Sequence, residues 1–217
     1  MPDFAARRTM MVDNQVRPSD VTKLPIIESM LTIPRERFVP GTLVEAAYIG
    51  ENLPIAPGRV LLEPRTLAKM LDVLDLRPND LVLDIGCATG YSTAVIARMA
   101  EAVVALECDD SLAEDAESTL EQVGVANVAV EHGALAEGAS AHGPYDAVIL
   151  QGAIETLPAA IAAQIKDGGR IVAIFSLGAL NVVRLGVKRG DMIHWRDIFN
   201  ASAPVLPGFA AAHSFAL

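Results

Sequence analysis

The chain of 217 residues has little of what metal sites, disulfide frameworks and nucleic-acid surfaces require. It contains two cysteines, Cys87 and Cys108, whose spacing fits no zinc-ligand or disulfide pattern, so we expect small buried residues there. The four histidines are scattered and never pair at helical spacing, so no metal site is predicted. A formal charge of −10 would repel a phosphate backbone, so no nucleic-acid partner is predicted.

Membrane-spanning runs and hydrolase motifs are missing as well. The most apolar window, residues 169–187, contains Arg170, Asn181 and Arg184, which favours two buried strands and a turn over a membrane span. No signal peptide is recognised, no membrane partner is predicted, and a cytoplasmic location is expected. The Gly-x-Ser-x-Gly motif, which places the nucleophile of many hydrolases, does not occur.

The composition that remains is that of a compact globular protein. Hydrophobic residues make up 52% of the chain and charged residues 20%, and a chain of this length can bury a sizeable core. Linkers, repeats and low-complexity segments are not recognised. We therefore expect a single domain over residues 1–217, with an N-terminal helical cap and connector at 1–75 and a core at 76–217.

Hydrophobic spacing and turn residues predict the secondary structure. Helices are predicted at residues 4–16, 24–33, 64–74, 92–100, 111–123 and 158–165, and strands at 81–85, 102–106, 128–131, 145–150, 170–175, 182–188 and 192–199. Residues 50–58 are predicted to be a loop, and Ser111 with Glu114 a capping box. From residue 81 onward strands and helices alternate, which indicates a parallel sheet, and the last two strands are expected to form a hairpin around Gly190.

The most informative stretch is residues 81–91, Leu-Val-Leu-Asp-Ile-Gly-Cys-Ala-Thr-Gly-Tyr. An apolar strand is broken by Gly86 and Gly90, and a helix follows, which is typical of an anion- and nucleotide-binding corner. The spacing does not meet the dinucleotide fingerprint Gly-x-Gly-x-x-Gly. Asp84, just before the turn, favours a ligand that carries a positive charge. An ordinary strand, turn and helix without a ligand is the alternative.

Glu107 is predicted to end the second strand of the core. In Rossmann-like folds an acid at that place accepts hydrogen bonds from ribose hydroxyls. The alternative is a solvated acid in a loop, because Asp109 and Asp110 follow closely. We expect the ribose role, and no arginine suggests a 2′-phosphate instead.

The pattern Asp84-x-Gly86-x-Ala88-x-Gly90 resembles the first motif of class I S-adenosylmethionine-dependent methyltransferases, with Ala88 where a middle glycine is usual. This resemblance implies a Rossmann-like α/β fold, whose mostly parallel seven-stranded sheet ends in an antiparallel hairpin and is preceded by N-terminal helices. It also implies S-adenosyl-L-methionine as cofactor. The cofactor-binding residues that it implies are Asp84, Gly86, Cys87, Ala88, Gly90, Tyr91, Glu107, Gly133, Ala134 and Gln151. At Ala134, where an acid is common, only a backbone contact is expected.

The flanking sequence is similar to that of protein-L-isoaspartate O-methyltransferases. The similar segments are Pro-Arg-Glu-Arg-Phe-Val-Pro at 34–40, Ala-Tyr at 47–48, Leu-Pro-Ile at 53–55, and residues 80–91, 124–128 and 168–172. Together they extend over roughly residues 10–175, whereas the final forty match poorly. The resemblance implies methylation of the carboxylate of isoaspartyl residues in damaged proteins, a protein-repair role with a protein or peptide substrate.

One segment departs from this family's pattern. The family has a Gly-Gln-Thr-Ile-Ser-Gln-Pro-like segment, and this chain has Gly-Arg-Val-Leu-Leu-Glu-Pro at 58–64. Leu62 replaces the serine that helps to hold the isoaspartyl carboxylate, and Glu63 would repel a carboxylate. A bidentate contact from Arg59 or Arg65 could compensate. The candidates for the acceptor site are therefore Arg59, Leu62, Glu63 and Gln151, and no catalytic residue is assigned.

Two other readings of the chain stay open. A methyltransferase of the same fold could act on a small molecule or on another protein group, because Leu62 breaks the family's pattern. A protein without catalytic activity could bind the cofactor, or nothing, and act through partner contacts, which Ala88, Ala134 and Leu62 favour slightly.

Overall fold

The computed structural model describes residues 3–178 and 180–211, and this part of the chain contains six α-helices and nine strands. The helices are α1 (Phe4–Met11), α2 (Leu24–Thr32), α3 (Pro64–Leu74), α4 (Tyr91–Ala97), α5 (Asp110–Gln122) and α6 (Ala159–Ala163). The strands are β1 (Leu53–Ala56), β2 (Arg59–Leu61), β3 (Leu81–Ile85), β4 (Ala102–Glu107), β5 (Val128–His132), β6 (Tyr145–Ile154), β7 (Ile165–Leu177), β8 (Leu180–Arg189) and β9 (Met192–Asn200).

Seven of these strands form the main sheet, in the order β5-β4-β3-β6-β7-β8-β9. Strands β3 to β7 are parallel, and β8 pairs antiparallel with both β7 and β9. The predicted fold is therefore confirmed, including the mostly parallel sheet, its antiparallel end and the N-terminal helices. The strand order reverses at β3, between β4 and β6. Such a switch point opens a crevice at the carboxyl ends of the strands, where α/β proteins bind ligands.

Both faces of the sheet are covered, so its central strands are buried on either side. Val82 belongs to a hydrophobic cluster with Met30 of α2 and Leu71 of α3. Its neighbour Leu83 belongs to a second cluster with Ile161 of α6 and with residues near the C-terminus. The N-terminal helices thus share one core with the sheet, which supports the single-domain division, although that division stays a prediction.

The sheet connections differ from the prediction in three places. The predicted loop at 50–58 contains β1, which pairs antiparallel with β2 in a separate two-stranded sheet. Proline is tolerated at such edges, so Pro54 does not prevent pairing with Val60. Strands β6 and β7 are longer than predicted, because pairing resumes beyond a register shift in each: Ala153 pairs with Ile174, and Ile165 pairs with Tyr145. The predicted helix at 158–165 is correspondingly reduced to α6.

Several helix ends also differ from the prediction, and α4 ends at Ala97, three residues before the predicted end at residue 100. Helix α1 ends at Met11 and continues as a π-helical turn, Val12–Val16. The predicted capping box is wrong, because α5 begins one residue before Ser111 and its N-cap is Asp109, whose carboxylate accepts from the Leu112 N–H at 3.1 Å. Aspartate caps a helix as well as serine does.

The apolar window at 169–187 forms parts of β7 and β8, as predicted, with residue 179 outside the described residues. Within the described residues, no helix combines the length and apolar composition that crossing a membrane requires.

Candidate functional site

The turn between β3 and α4 has the backbone conformation that its glycines require. The φ angles of Gly86, Ala88 and Gly90 are +75°, +52° and +90°. A Cβ atom at Gly86 would lie 3.0 Å from the Arg59 guanidinium, and one at Gly90 would lie 3.2 Å from Leu120 Cδ1. Both glycines therefore allow another group to come close to the backbone of the turn. In this structure those groups are the protein's own side chains, Arg59 at Gly86 and Leu120 at Gly90.

Asp84 lies at the end of β3, fully buried, and links the turn to the neighbouring strand. Its Oδ2 accepts hydrogen bonds from the hydroxyls of Ser92 and Thr93, both at 2.7 Å, and its Oδ1 accepts from Gln151 Nε2 at 2.7 Å. Burial raises the pKa of Asp84, and these hydrogen bonds oppose the rise. The partners of this carboxylate are thus three uncharged groups of the protein, which join the start of α4 to β6.

Glu107 ends β4 and is fully buried, so the alternative of a solvated loop acid is wrong. Its carboxylate accepts two hydrogen bonds from Arg59, Nη1 to Oε1 at 2.5 Å and Nη2 to Oε2 at 2.7 Å. It accepts three more from the backbone N–H groups of Ala88 (2.8 Å), Cys108 (2.8 Å) and Asp109 (3.2 Å). Because a carboxylate offers about four lone-pair positions, this one has no acceptor capacity left.

Arg59 begins β2, is 5% exposed, and reaches the same turn from outside the main sheet. Besides the bidentate pair with Glu107, its Nη2 donates to the Gly86 carbonyl at 2.8 Å. The structure therefore gives Arg59 a different partner from the acceptor carboxylate that we predicted. The sequence shows an isolated arginine before an apolar run, but nothing local in it identifies which acid pairs with that arginine.

Leu206, which the sequence analysis did not predict as a site residue, also lies against the turn. A Cβ atom at Gly86 would lie 3.2 Å from Leu206 Cδ2, and one at Gly152 would lie 2.6 Å from the same atom. The surrounding chain is held against β6 by hydrogen bonds from the Ala153 N–H to the Pro204 carbonyl (2.8 Å) and from the Leu206 N–H to the Ala153 carbonyl (2.9 Å). We call residues 201–211 the C-terminal segment.

Two other acceptor-site candidates are occupied within the protein. Leu62 is buried in the core, and its carbonyl accepts from Arg35 Nη2 at 2.8 Å. Glu63 lies just before α3, where its carboxylate accepts from the Thr66 hydroxyl at 2.6 Å and its N–H donates to Asn52 Oδ1 at 2.8 Å. Neither residue presents a free donor for a carboxylate ligand.

The remaining candidates divide between the turn and the core. Gly133 lies beside Glu107, because its N–H donates to the Glu107 carbonyl at 2.9 Å, and Ala134 follows it. Cys87 and Tyr91 are both buried, and the Tyr91 ring stacks on the Arg35 guanidinium, 4.7 Å from the ring centroid. Arg65, the other arginine proposed to compensate for Leu62, is half exposed, with its Nη1 3.9 Å from Glu63. Among residues 3–178 and 180–211, no three His, Cys, Asp or Glu side chains are placed to hold a metal ion.

The two cysteines are free thiols, and we expect both to react slowly in the native protein. Burial raises the pKa of Cys87 well above its usual value, and burial followed by the charge of Glu107 raises that of Cys108. At pH 8 an alkylating reagent should modify the partly exposed Cys108 slowly and Cys87 only after unfolding, as counted by mass spectrometry. A Cys108→Ser variant should show no native-state labelling, and equal labelling of Cys87 would contradict the expectation.

The comparison with known families decides the relationship. A family model described as Protein-L-isoaspartate(D-aspartate) O-methyltransferase matches residues 6–198. The chain belongs to this family. A protein-L-isoaspartate O-methyltransferase of Methylorubrum extorquens is 35% identical to it over 98% of this chain and 93% of that protein. One from Aliivibrio fischeri is 36% identical over 85% of this chain and 88% of that protein.

Solved structures of isoaspartate methyltransferases share the fold. A protein-L-isoaspartate O-methyltransferase superposes with a TM-score of 0.83 at 23% identity, covering 93% of this chain and 66% of that protein. A beta-aspartate methyltransferase from Plasmodium falciparum, solved in complex with S-adenosyl-L-homocysteine, gives a TM-score of 0.80 at 17% identity, covering 95% and 99% of the two chains.

The cofactor that the family resemblance implies fits the residue types of this site but not their arrangement. The glycine turn and the acid at the end of β4 are in place. However, Arg59 and three backbone N–H groups use the whole acceptor capacity of Glu107, and Leu206 covers Gly86 and Gly152. In this arrangement a nucleoside has no hydrogen-bond acceptor on Glu107.

Proposed function

We propose that this family member is an S-adenosyl-L-methionine-dependent protein-L-isoaspartate O-methyltransferase that methylates isoaspartyl carboxylates in damaged proteins. The observation that carries the proposal is the family match over residues 6–198, together with relatives of that name at 35% and 36% identity. The crevice at the carboxyl end of β3, where the glycine turn lies, supports it as the place of a ligand site.

The chemistry of a carboxylate acceptor suits the groups at this site. With a pKa of about 4, a carboxylate is already ionised at neutral pH. The alignment of the methyl donor with the acceptor oxygen therefore matters more than a general base. The acids at the strand ends, Asp84 and Glu107, hold neighbouring parts of the protein and are not placed as free bases. This supports a reaction in which the acceptor needs no deprotonation.

A second candidate function is methylation of a different acceptor, and the burial of Leu62 favours it. The family's serine position carries no hydrogen-bonding side chain, and Arg59, which could have compensated, is paired with Glu107. Arg65 is half exposed and is the arginine that could still meet an acceptor carboxylate.

Methyl-labelled S-adenosyl-L-methionine with two matched peptides, one isoaspartyl and one aspartyl, tests the proposal. We expect label in the isoaspartyl peptide alone, as a base-labile ester. No label in either peptide would contradict isoaspartyl methylation and favour the second candidate. Leu62→Ser is the matched variant: activity that appears only after this change would mean that the natural chain has lost the substrate.

The proposal extends to the setting in which the protein acts. A role in protein repair and a cytoplasmic location fit the two unpaired thiols, which reducing compartments maintain. The formal charge of −10 supports a protein or peptide partner and disfavours nucleic acid.

A further inference from the structure

The ribose-binding position of the site is filled by this chain's own Arg59. Acids at the end of the second Rossmann strand accept the ribose hydroxyls of a nucleotide. Here Arg59 donates to both oxygens of the Glu107 carboxylate, and three backbone N–H groups use the rest. A ribose can therefore reach Glu107 only in place of the Arg59 hydrogen bonds, because the backbone donors belong to the turn and the strand end.

The Arg59–Glu107 pair is built into the fold. The Arg59 side chain is 5% exposed and that of Glu107 is fully buried, so water screens their attraction little. The pair is bidentate, the geometry that gives strong and directional ion pairs, and the Gly86 carbonyl holds the same guanidinium. It therefore joins β2, the glycine turn and β4.

Leu206 lies over the same turn as Arg59. Its side chain lies over Gly86 and Gly152, the two positions where a bound ligand would approach the ends of β3 and β6. Hydrogen bonds of the C-terminal segment to Ala153 hold it there. The crevice is thus covered by β2, which precedes the core, and by the C-terminal segment, which follows β9.

We propose that Arg59 is an internal competitor of the cofactor, so that the adenosine end of the cofactor binds only after the Arg59–Glu107 pair opens. This inference rests on the proposed function. The apparent dissociation constant is then the intrinsic one divided by the fraction of molecules with an open pair. If Arg59 competes with the cofactor, removing its guanidinium must strengthen cofactor binding. If Arg59 instead contacted the cofactor, removing it would weaken cofactor binding.

Calorimetric titration with S-adenosyl-L-homocysteine tests whether removing the guanidinium lowers or raises the dissociation constant. We expect Arg59→Gln to lower the dissociation constant at least tenfold relative to the unaltered chain. Arg98→Gln is the matched control, because it removes the same charge from an exposed residue just after α4 and should leave the dissociation constant unchanged. Circular dichroism and thermal melting establish that each variant is folded.

Arg59→Lys keeps the inference testable if the glutamine variant fails to fold. Lysine retains the positive charge beside Glu107 but presents one ammonium in place of a bidentate donor. The Arg59→Lys variant should therefore also bind S-adenosyl-L-homocysteine more tightly than the unaltered chain, by a smaller factor than Arg59→Gln. Equal or weaker binding by the folded Arg59 variants overturns the inference and leaves the proposed cofactor intact. If neither the unaltered chain nor any variant binds, both the inference and the proposed cofactor are overturned.

Discussion

Replacing Glu107 by alanine is expected to lower the free energy of unfolding by about 3–5 kcal/mol, because it leaves the buried Arg59 guanidinium without its counter-charge. Three backbone N–H groups, those of Ala88, Cys108 and Asp109, lose their acceptor at the same time. Arg59 would keep only the Gly86 carbonyl among its oxygen partners. Urea unfolding followed by circular dichroism measures the difference.

The matched control for this prediction is Arg59→Met, which should lower the free energy of unfolding by less than Glu107→Ala does. After that change Glu107 still accepts three backbone hydrogen bonds, so its charge remains partly stabilised. In the double variant, the decrease in the free energy of unfolding should be smaller than the sum of the decreases in the two single variants, because neither charge is then left unpaired. A loss below about 1 kcal/mol for Glu107→Ala, or strict additivity, would show that the pair contributes little.

Replacing Phe209 by alanine is expected to lower the free energy of unfolding by about 3–5 kcal/mol, the range for removing a buried phenylalanine. Phe209 is fully buried in the second core cluster, and its carbonyl accepts from the N–H groups of Glu155 (3.0 Å) and Thr156 (3.3 Å). It therefore anchors the C-terminal segment to the loop after β6. Urea unfolding again provides the measurement.

Amide hydrogen exchange shows which part of the structure Phe209→Ala destabilises. The Leu206 amide, which bonds to Ala153, should lose protection first, while amides of the central strand β3 keep theirs. Met192→Ala is the control, because Met192 is 65% exposed and should change stability by less than about 0.5 kcal/mol. Unchanged protection at Leu206 in Phe209→Ala would show that the anchor lies elsewhere.

Much of the fold could be predicted from local sequence patterns. The observed bounds of β3 and α3 agree with the prediction, since a doubly buried strand is a continuous apolar run and α3 begins at a proline and repeats its apolar residues at helical spacing. Predictions were wrong where pairing, and not residue type, forms the element. Strand β1 contains Pro54, which pairs with Val60, and β7 begins at Ile165, which pairs with Tyr145 ahead of the register shift that contains two adjacent glycines.

For the site, the sequence was sufficient to locate the glycine turn and the acid that follows it. Gly86 and Gly90 mark the turn because positive φ angles favour glycine, and Glu107 is recognisable by its place after a strand. These are local properties, which neighbouring residues determine. The motif, the acid and the alternation of strands and helices were therefore enough to predict the methyltransferase fold, and the flanking segments, above all residues 34–40, predicted the family.

The state of that site depends on contacts between residues far apart in the chain. Arg59 and Glu107 are separated by 48 positions, and Leu206 reaches Gly86 from the C-terminal segment. No periodicity or spacing specifies such a pairing, because the partner of a buried charge is chosen by where the backbone brings the two side chains together. Packing of β2 against the core places Arg59 in the predicted ribose site, and packing of the C-terminal segment places Leu206 over Gly86.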